Sequence, residues 1–306
     1  MQNQLLTDLV APLGGVARIV SIVHLQDIEQ QIKQLRKQHL LAEEFNLEEI
    51  ASFNYQLPKE IPEARSLILF AYPHYPTRFT FTRKGKERSY LVPPTYLHGL
   101  ESDKKNIKPI SDYLKNNGFH LERALIPKKL AAVCAGLGEY GKNNIVYVKG
   151  KGSFVRLGVY FSDLPLKEDG WRDPVCMARC EGCHACLKAC PTHAIDSDRF
   201  LLHAERCITF WNEKATDVEF PDWLNPEWHN CLVGCMFCHF ICPENSALTE
   251  RVNDGPVFSE METDWLISGK LLEDLPLPLR EKLRESGLGD YYDPRNFRVL
   301  IERDYR

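Results

Sequence analysis

Ten of the eleven cysteines fall between residues 176 and 242, and their spacing is that of a metal centre. The first group follows the pattern C-x2-C-x2-C-x3-C-P and consists of Cys180, Cys183, Cys186 and Cys190, followed by Pro191. Two-residue spacers let thiolates converge from one compact loop, as a cubane cluster requires. In bacterial sequences this pattern binds a [4Fe–4S] cluster, and its fourth cysteine ligates a second cluster.

A second and shorter group supplies most of the ligands for that other cluster. It follows the pattern C-x2-C-x3-C-P with Cys235, Cys238 and Cys242. The leading cysteine is missing, and either Cys207 or Cys231 can replace it. A crossed assignment gives cluster one Cys180, Cys183, Cys186 and Cys242. Cluster two then takes Cys190, Cys235, Cys238 and one of the two candidates. The sequence therefore predicts two [4Fe–4S] clusters.

Zinc is the alternative metal for cysteine-rich motifs. Structural zinc sites usually pair a C-x2-4-C step with a second pair a dozen or more residues away. Here four cysteines lie within eleven residues and are followed by a proline, which favours iron–sulfur. The remaining Cys134 and Cys176 are not needed by either motif. We expect both to be structural, because free cysteine is most often a small buried hydrophobe.

Composition indicates the class of protein and its compartment. The chain has 306 residues, of which 44% are hydrophobic and 26% charged, as in ordinary soluble globular proteins. The net charge of −4 provides no broad attraction to nucleic acid. No apolar run reaches the roughly 18 residues that a membrane-spanning helix needs, and the N-terminus has no basic signal region. We therefore expect a cytoplasmic protein without a membrane partner, in which thiols stay reduced.

The part of the chain before residue 170 alternates strand-like and helix-like stretches. Apolar β-branched runs predict strands at 17–24, 66–72 and 152–163. Apolar residues at helical spacing predict helices at 25–45 and at 109–117, the latter ending at Gly118. The fold class is α/β or α+β. We predict an α/β domain at 1–170, a cluster domain at 171–250 and a tail at 251–306 that packs on the core. The stretch at 163–174 is the predicted linker into the cluster domain.

A glycine-rich stretch at 135–145 is the second feature with chemical potential. Glycines at 136, 138 and 141 allow close approach of the backbone to a ligand, and Lys142 and Asn143 offer hydrogen-bond donors beside them. The stretch is not a phosphate-binding P-loop, because no Lys-Ser or Lys-Thr pair follows the glycines at the required spacing.

The order of these segments resembles a known family. AGLGEYGKNN, then GSFVRLGVYFSDLPL, CEGCHACLKACPTHAI, RCITF and GCMFCHFICP, closely resemble the epoxyqueuosine reductase family over residues 64–245. That family is similar in turn to reductive dehalogenases. The resemblance implies an α+β chain in which an α/β domain that binds base-off cobalamin is joined to a two-cluster ferredoxin-like domain. It also implies that Cys207 is the eighth cluster ligand and Cys231 an extra thiol.

The resemblance further implies roles for residues of the first domain. Gly136, Gly138, Gly141, Lys142 and Asn143 would lie along the corrin, with Gly152 and Ser153 nearby. Electrons from an external low-potential donor of the ferredoxin or flavodoxin type would pass through the clusters to cobalt. Glu122 stands where the family has a proton-donating Asp, fourteen residues before the first loop glycine, and would act as a general acid if buried beside the corrin. The alternative is a solvated Glu on a helix face, because the Pro, Glu and Arg of the family pattern do not match here.

The substrate is less well defined than the cofactors. Related epoxyqueuosine reductases carry a C-terminal helical-repeat extension that helps to hold tRNA, and no such repeat follows Pro243. We therefore expect a short form with a small-molecule or modified-nucleoside substrate, and tRNA is doubtful. Two other functions remain open. The first is that of an electron-transfer protein that reactivates a partner's corrinoid. The second is that of a binding module in which the clusters serve a structural or sensing role.

Overall fold

The computed structural model describes residues 2–43 and 50–304 and divides the chain into two compact units. The first unit contains the chain up to His74, Leu100–His184 and Ile195–Ala204. The second contains Tyr75–Gly99, Ala185–Ala194 and the chain from Glu205 onward. The units thus interleave along the chain rather than following the three successive segments predicted above. The reason is that strands distant in sequence pair within one unit.

The secondary structure is mixed. The strands are β1 (Val16–Ser21), β2 (Ser66–Pro73), β3 (Thr77–Arg83), β4 (Lys86–Val92), β5 (Leu121–Arg123), β6 (Glu139–Tyr140), β7 (Val146–Tyr147), β8 (Val155–Ser162) and β9 (Asn253–Phe258). The first helices along the chain are α1 (Gln2–Val10), α2 (His24–Lys37), α3 (Gly99–Asn116) and α4 (Lys128–Cys134). Next come α5 (Ala185–Ala189), α6 (Ile208–Asn212), α7 (Phe237–Phe240), α8 (Glu260–Leu266), α9 (Leu277–Glu285) and α10 (Pro294–Arg303). No helix within the described ranges has the length and hydropathy to cross a membrane.

The first unit is built on a four-stranded sheet in the order β1-β2-β8-β5. Each pair in it is antiparallel, which confirms the α+β class that the resemblance implies. Alternate side chains of β2 enter different cores, because successive residues of a strand point to opposite faces. Leu67 and Leu69 pack with helix α2, and Ile68 and Phe70 pack with helices α1 and α3. Burial on both faces explains why β2 is apolar along nearly its whole length.

Two helices of the first unit differ from their predicted bounds. Helix α2 begins as predicted but ends at Lys37, and the predicted end at residue 45 lies outside the described residues. Helix α3 begins at Gly99, ten residues before its predicted start, and contains Pro109 in its interior. Proline normally interrupts a helix. Here the face formed by Ile107, Ile110 and Leu114 is buried against the sheet. The stabilisation from this burial offsets the helical hydrogen bond that Pro109 cannot donate.

The second unit is built on the sheet β4-β3-β9. Strands β3 and β4 form a hairpin whose turn contains Lys84 and Gly85, both with positive φ. This turn conformation matches the twist of a two-residue hairpin. Strand β9 from the tail pairs in parallel with β3, and Phe297 of α10 is fully buried against Phe81. The tail therefore supplies part of the core of the second unit. The hairpin of β3 and β4, which supplies another part of this core, was not predicted from the sequence.

Candidate functional site

Six of the eight predicted cluster cysteines belong to the second unit. Helices α5 and α7 pack against each other and carry Cys186 and Cys238 respectively. Cys190 follows α5, Cys207 immediately precedes α6, and Cys242 follows α7. Short helices with cysteines within them or at their ends therefore bring together segments that are up to about fifty residues apart in the sequence.

The helix next to the first motif lies before Cys190, at Ala185–Ala189, and no helix starts at Pro191. His193 has a positive φ of 51°, which a continuing helix cannot contain. Cys190 therefore follows the end of a helix, and its backbone N–H donates to the carbonyl oxygen of Cys186 at 3.1 Å.

Three thiols predicted to bind cluster two converge from three separate segments. Cys190 and Cys207 are close enough to Cys235 that their charges raise its pKa. The larger cause is burial, which raises the pKa of Cys235 to about 12 and also raises the pKa of Cys207. Cys207 and Cys235 are therefore protonated in the metal-free protein at neutral pH. Because iron binds the thiolate, cluster assembly must release these protons.

The two candidates for the eighth ligand have different surroundings. The charge of Cys190 acts on Cys207, so Cys207 lies among the other ligands predicted for cluster two. Cys231 is also buried, but its thiol donates a hydrogen bond to Oδ1 of Asn230 at 3.1 Å. Burial raises the pKa of Cys231 well above its usual value. Cys231 is also close enough to Cys235 to interact with it electrostatically, as Cys207 is, so the ligand set that includes Cys207 stays a prediction.

Asn230 is a neighbour of this site that the sequence did not single out. Its Nδ2 donates to Sγ of Cys235 at 3.1 Å. The donor set is thus four cysteine thiols with an amide directed at one of them, which fits an iron–sulfur cluster. Within residues 2–43 and 50–304, no three His, Cys, Asp or Glu side chains are close enough to hold a single metal ion. A cubane is larger than one ion and separates its thiolates accordingly.

The remaining cysteines belong to the first unit. Cys180 and Cys183 are linked by a turn in which the N–H of Cys183 donates to the carbonyl of Cys180 at 3.3 Å. Cys134 is fully buried, and burial raises its pKa to about 11, as expected for an inert structural thiol. Cys176 differs from expectation, because its side chain is exposed while its backbone bridges to Tyr140.

The glycine-rich stretch runs from the end of helix α4 through strand β6 and the tight turn that joins β6 to β7. Gly136 has a φ of +68°, and the N–H of Leu137 donates to the carbonyl of Ala132 at 2.9 Å. These are the features of a helix C-terminal cap, for which glycine is favoured. A Cβ atom at Gly138 would lie 2.6 Å from the carbonyl oxygen of Tyr147. One at Gly141 would lie 2.6 Å from Oδ1 of Asn143. All three glycines are therefore required by the loop itself.

The polar residues of the loop are also partly engaged within the protein. Asn143 is buried, and its Nδ2 donates to the hydroxyl of Tyr147 at 3.0 Å. Lys142 is half-buried in a turn closed by the N–H of Asn144 and the carbonyl of Gly141. Gly152 accepts from the N–H of Val148 at 2.9 Å, and the adjacent Ser153 is buried. The residues predicted to contact a corrin thus share one unit, and their contact with a corrin stays a prediction.

Glu122 occupies a different environment from the one its predicted role requires. It lies on strand β5 at the edge of the sheet, with its Cα opposite Phe161, and its side chain is exposed. It is neither on a helix nor buried. The structure thus gives Glu122 none of the desolvation on which a role as general acid would depend, and that role stays a prediction.

A buried polar cluster in the same unit was not apparent from the sequence. Asp103 of α3 accepts a hydrogen bond from the hydroxyl of Tyr72 at 3.1 Å and pairs with Arg156 of β8. Lys128, the first residue of α4, interacts electrostatically with Asp103, and burial lowers its pKa. No sequence signal connects these four residues, because they come from four elements that only the fold brings together.

Comparison with known proteins agrees with the assignment of the cysteine-rich segment. Residues 179–245 match the family described as a 4Fe-4S double cluster binding domain. An epoxyqueuosine reductase from Atelocyanobacterium thalassa is 28% identical over 205 residues, which are 65% of this chain and 65% of the relative. Another from Cyclobacterium marinum is 30% identical over 193 residues, which are 63% of this chain and 56% of the relative. The matched region thus spans less than two thirds of each relative.

The fold agrees as well. The crystal structure of an epoxyqueuosine reductase with an epoxyqueuosine-modified tRNA stem loop superposes with a TM-score of 0.68 at 18% identity. The superposition covers 98% of this chain and 80% of that one. The resemblance noted in the sequence is thereby confirmed: this chain is similar to epoxyqueuosine reductases in sequence, shares their mixed α+β fold, and contains a 4Fe-4S double cluster binding domain.

Proposed function

We propose that this chain is an iron–sulfur reductase that accepts electrons one at a time from an external low-potential donor of the ferredoxin or flavodoxin type. Two [4Fe–4S] clusters pass the electrons to the site where the substrate is reduced. The observation that carries the proposal is the convergence of Cys190, Cys207 and Cys235 within a segment that matches a double cluster domain. A chain of about 300 residues offers much more than a carrier of two clusters needs, which favours an enzyme over a simple ferredoxin.

The proposal includes a corrinoid as the group that reduces the substrate. Its support is the order of the glycine loop and the GSF segment, which resembles that of the epoxyqueuosine reductases. When bound, a cob(I)alamin supplies a strong nucleophile or reductant. The contribution of this chain would come from the rigid loop around Gly141, which positions Lys142 beside a buried Asn143.

The substrate class proposed is a modified nucleoside, in the form of an epoxyqueuosine-containing tRNA. The support is that the sequence relatives are named epoxyqueuosine reductases, and that one structural neighbour was solved with a modified tRNA stem loop. The sequence left a small molecule and a modified nucleoside open and made tRNA doubtful, and the names of the relatives favour the nucleoside within tRNA. The alternative, an electron-transfer protein that reactivates a partner's corrinoid, would need the clusters and the corrinoid contact but no nucleoside site.

An anaerobic titration of the reconstituted full chain with cob(II)alamin, followed by electron paramagnetic resonance, tests the corrinoid. We expect a stoichiometric base-off cobalt signal. Lys142→Ala should weaken binding, while Lys149→Ala, at an exposed lysine nearby, should leave it unchanged. If the spectrum stays that of free, base-on cob(II)alamin in the presence of the wild-type chain, the corrinoid part of the proposal is ruled out.

Incubation of the loaded protein with dithionite and an epoxyqueuosine-modified tRNA stem loop separates the enzyme from the alternative. Mass spectrometry should show loss of one oxygen atom from the nucleoside. Binding of the corrinoid without any change in the nucleoside would favour the electron-transfer function.

A further inference from the structure

The side chain of Asn230 connects three groups around one predicted cluster ligand. Its Nδ2 donates to Sγ of Cys235 at 3.1 Å and also lies 3.4 Å from the carbonyl oxygen of Trp228. Its Oδ1 accepts from the backbone N–H of Met236 at 2.8 Å and from the thiol of Cys231 at 3.1 Å. The amide is therefore half-buried in a network with partners on both of its ends.

The orientation of this amide follows from its partners. A backbone N–H can only donate, so the amide atom facing Met236 must be the oxygen. The NH2 group then has to point toward Sγ of Cys235. The thiol of Cys231 adds a second donor to the same oxygen, which gives this buried cysteine a function other than ligation.

A hydrogen bond to a cluster sulfur changes the energy of the two redox states unequally. When the cluster takes one electron from an external donor, no bond of the protein breaks and the cluster gains one negative charge. A donor aimed at a ligating sulfur stabilises the more negative state more strongly, and hydrogen bonds to the sulfurs are among the factors that set cluster potentials.

We propose that Asn230 is a positioning residue that raises the reduction potential of cluster two through its hydrogen bond to Cys235, and that Cys231 supports the amide without ligating iron. This inference rests on the proposed binding of two clusters. It adds a specific determinant of the potential at which the second cluster accepts electrons from a low-potential donor.

The sharpest variant is Asn230→Asp, because it replaces only the NH2 group and keeps an oxygen for Met236 and Cys231. Anaerobic potentiometric titration of the reconstituted full chain, monitored by electron paramagnetic resonance, gives the potentials of both clusters. We expect one potential to become more negative by at least about 59 mV, which corresponds to a tenfold change in the equilibrium constant for one-electron reduction. The other potential provides an internal reference.

Three further variants complete the test. Asn230→Ala removes the donor without adding a charge and should shift the same potential in the same direction. Asn225→Asp makes the same chemical change at an exposed helix-capping position and should move neither potential. Cys231→Ala removes one of the two donors to the amide oxygen but retains the contact with Met236, so the iron content should stay as in the wild type.

Iron and sulfide analysis distinguishes the possible failures. A wild-type chain with only one cluster would overturn the proposed function itself. Unchanged potentials in Asn230→Asp and Asn230→Ala, with about eight iron atoms retained, would overturn the role of Asn230 alone. If Asn230→Asp loses a cluster, the potentials of Asn230→Ala decide. Loss of iron from Cys231→Ala would instead identify Cys231 as a ligand and overturn its supporting role.

Discussion

Arg156 holds Asp103 through two contacts inside the first unit. Nε of the guanidinium lies 2.6 Å from Oδ1 of the carboxylate, and Nη2 lies 3.1 Å from Oδ2. Asp103 is 2% exposed, so water does not solvate its charge. The pair connects strand β8 to helix α3, whose apolar face covers the sheet.

Removing the cation should therefore destabilise the first unit strongly. Arg156→Met leaves a buried carboxylate without its partner, and we expect the free energy of unfolding to fall by about 3–5 kcal/mol. Urea unfolding at pH 7 measures this change. Asp112→Asn is the matched control, because it breaks the exposed pair with Lys108 on the same helix and should cost less than about 1 kcal/mol. Equal effects of the two variants would contradict a structural role for the buried pair.

The eighth cluster ligand can be identified by two conservative substitutions. Cys207→Ser should reduce bound iron from about eight to about four atoms per chain, because a serine oxygen is a poor substitute for a thiolate in a cluster. Cys231→Ser should retain all the iron, since a hydroxyl can still donate to Asn230. Iron and sulfide analysis after anaerobic reconstitution provides the measurement. The reverse pattern would assign the ligand to Cys231.

Gly138 of the glycine-rich stretch and Gly150, which follows that stretch, allow the cost of steric crowding to be compared with the cost of backbone strain. A Cβ at Gly138 would meet the carbonyl oxygen of Tyr147, a backbone atom that cannot move aside cheaply. Gly150 has a φ of +74° but open space around its missing side chain. We expect Gly150→Ala to cost about 1–2 kcal/mol from strain alone and Gly138→Ala to cost more. Thermal unfolding of both variants tests the order, and a smaller effect at Gly138 would show that the loop can relax.

His229 should make the second unit sensitive to acid. It is 2% exposed, and neither ring nitrogen has a hydrogen-bond partner among the described residues. Burial, with smaller contributions from Arg303 and Arg295, lowers its pKa from 6.5 to about 4. Between these values the unfolded chain binds a proton that the folded chain excludes. Stability is therefore full above pH 6.5 and falls as the pH drops toward 4, by up to about 3 kcal/mol.

Replacing His229 tests this pH dependence. His229→Leu should lose less stability than the wild type between pH 7 and pH 5, as measured by urea unfolding at both values. His39→Gln, at an exposed histidine, should retain the pH dependence of the wild type. An equal loss of stability in His229→Leu and the wild type would mean that other groups cause the acid sensitivity.

The sequence by itself determined the cofactor class and several elements of the first unit. Ligand spacing in the motif from Cys180 to Cys190 is a local property, so the motif needed no tertiary information to indicate an iron–sulfur cluster. Strands β2 and β8 were also predicted nearly to their ends, because burial on both faces of a sheet requires long apolar runs. The mixed fold and the resemblance to epoxyqueuosine reductases were likewise visible in the order of motifs.

Only the tertiary structure decided which distant residues meet. The antiparallel order of the first sheet, the pairing of β9 with β3 and the pair of Asp103 with Arg156 depend on contacts across many residues. The exposure of Glu122 and the hydrogen bond from the Asn230 amide to Sγ of Cys235 likewise depend on the tertiary structure. Residue type and spacing record which chemistry is available. Desolvation and hydrogen bonding depend on the neighbours that folding supplies, and these decide which of the available groups is protonated, buried or aimed at a ligand.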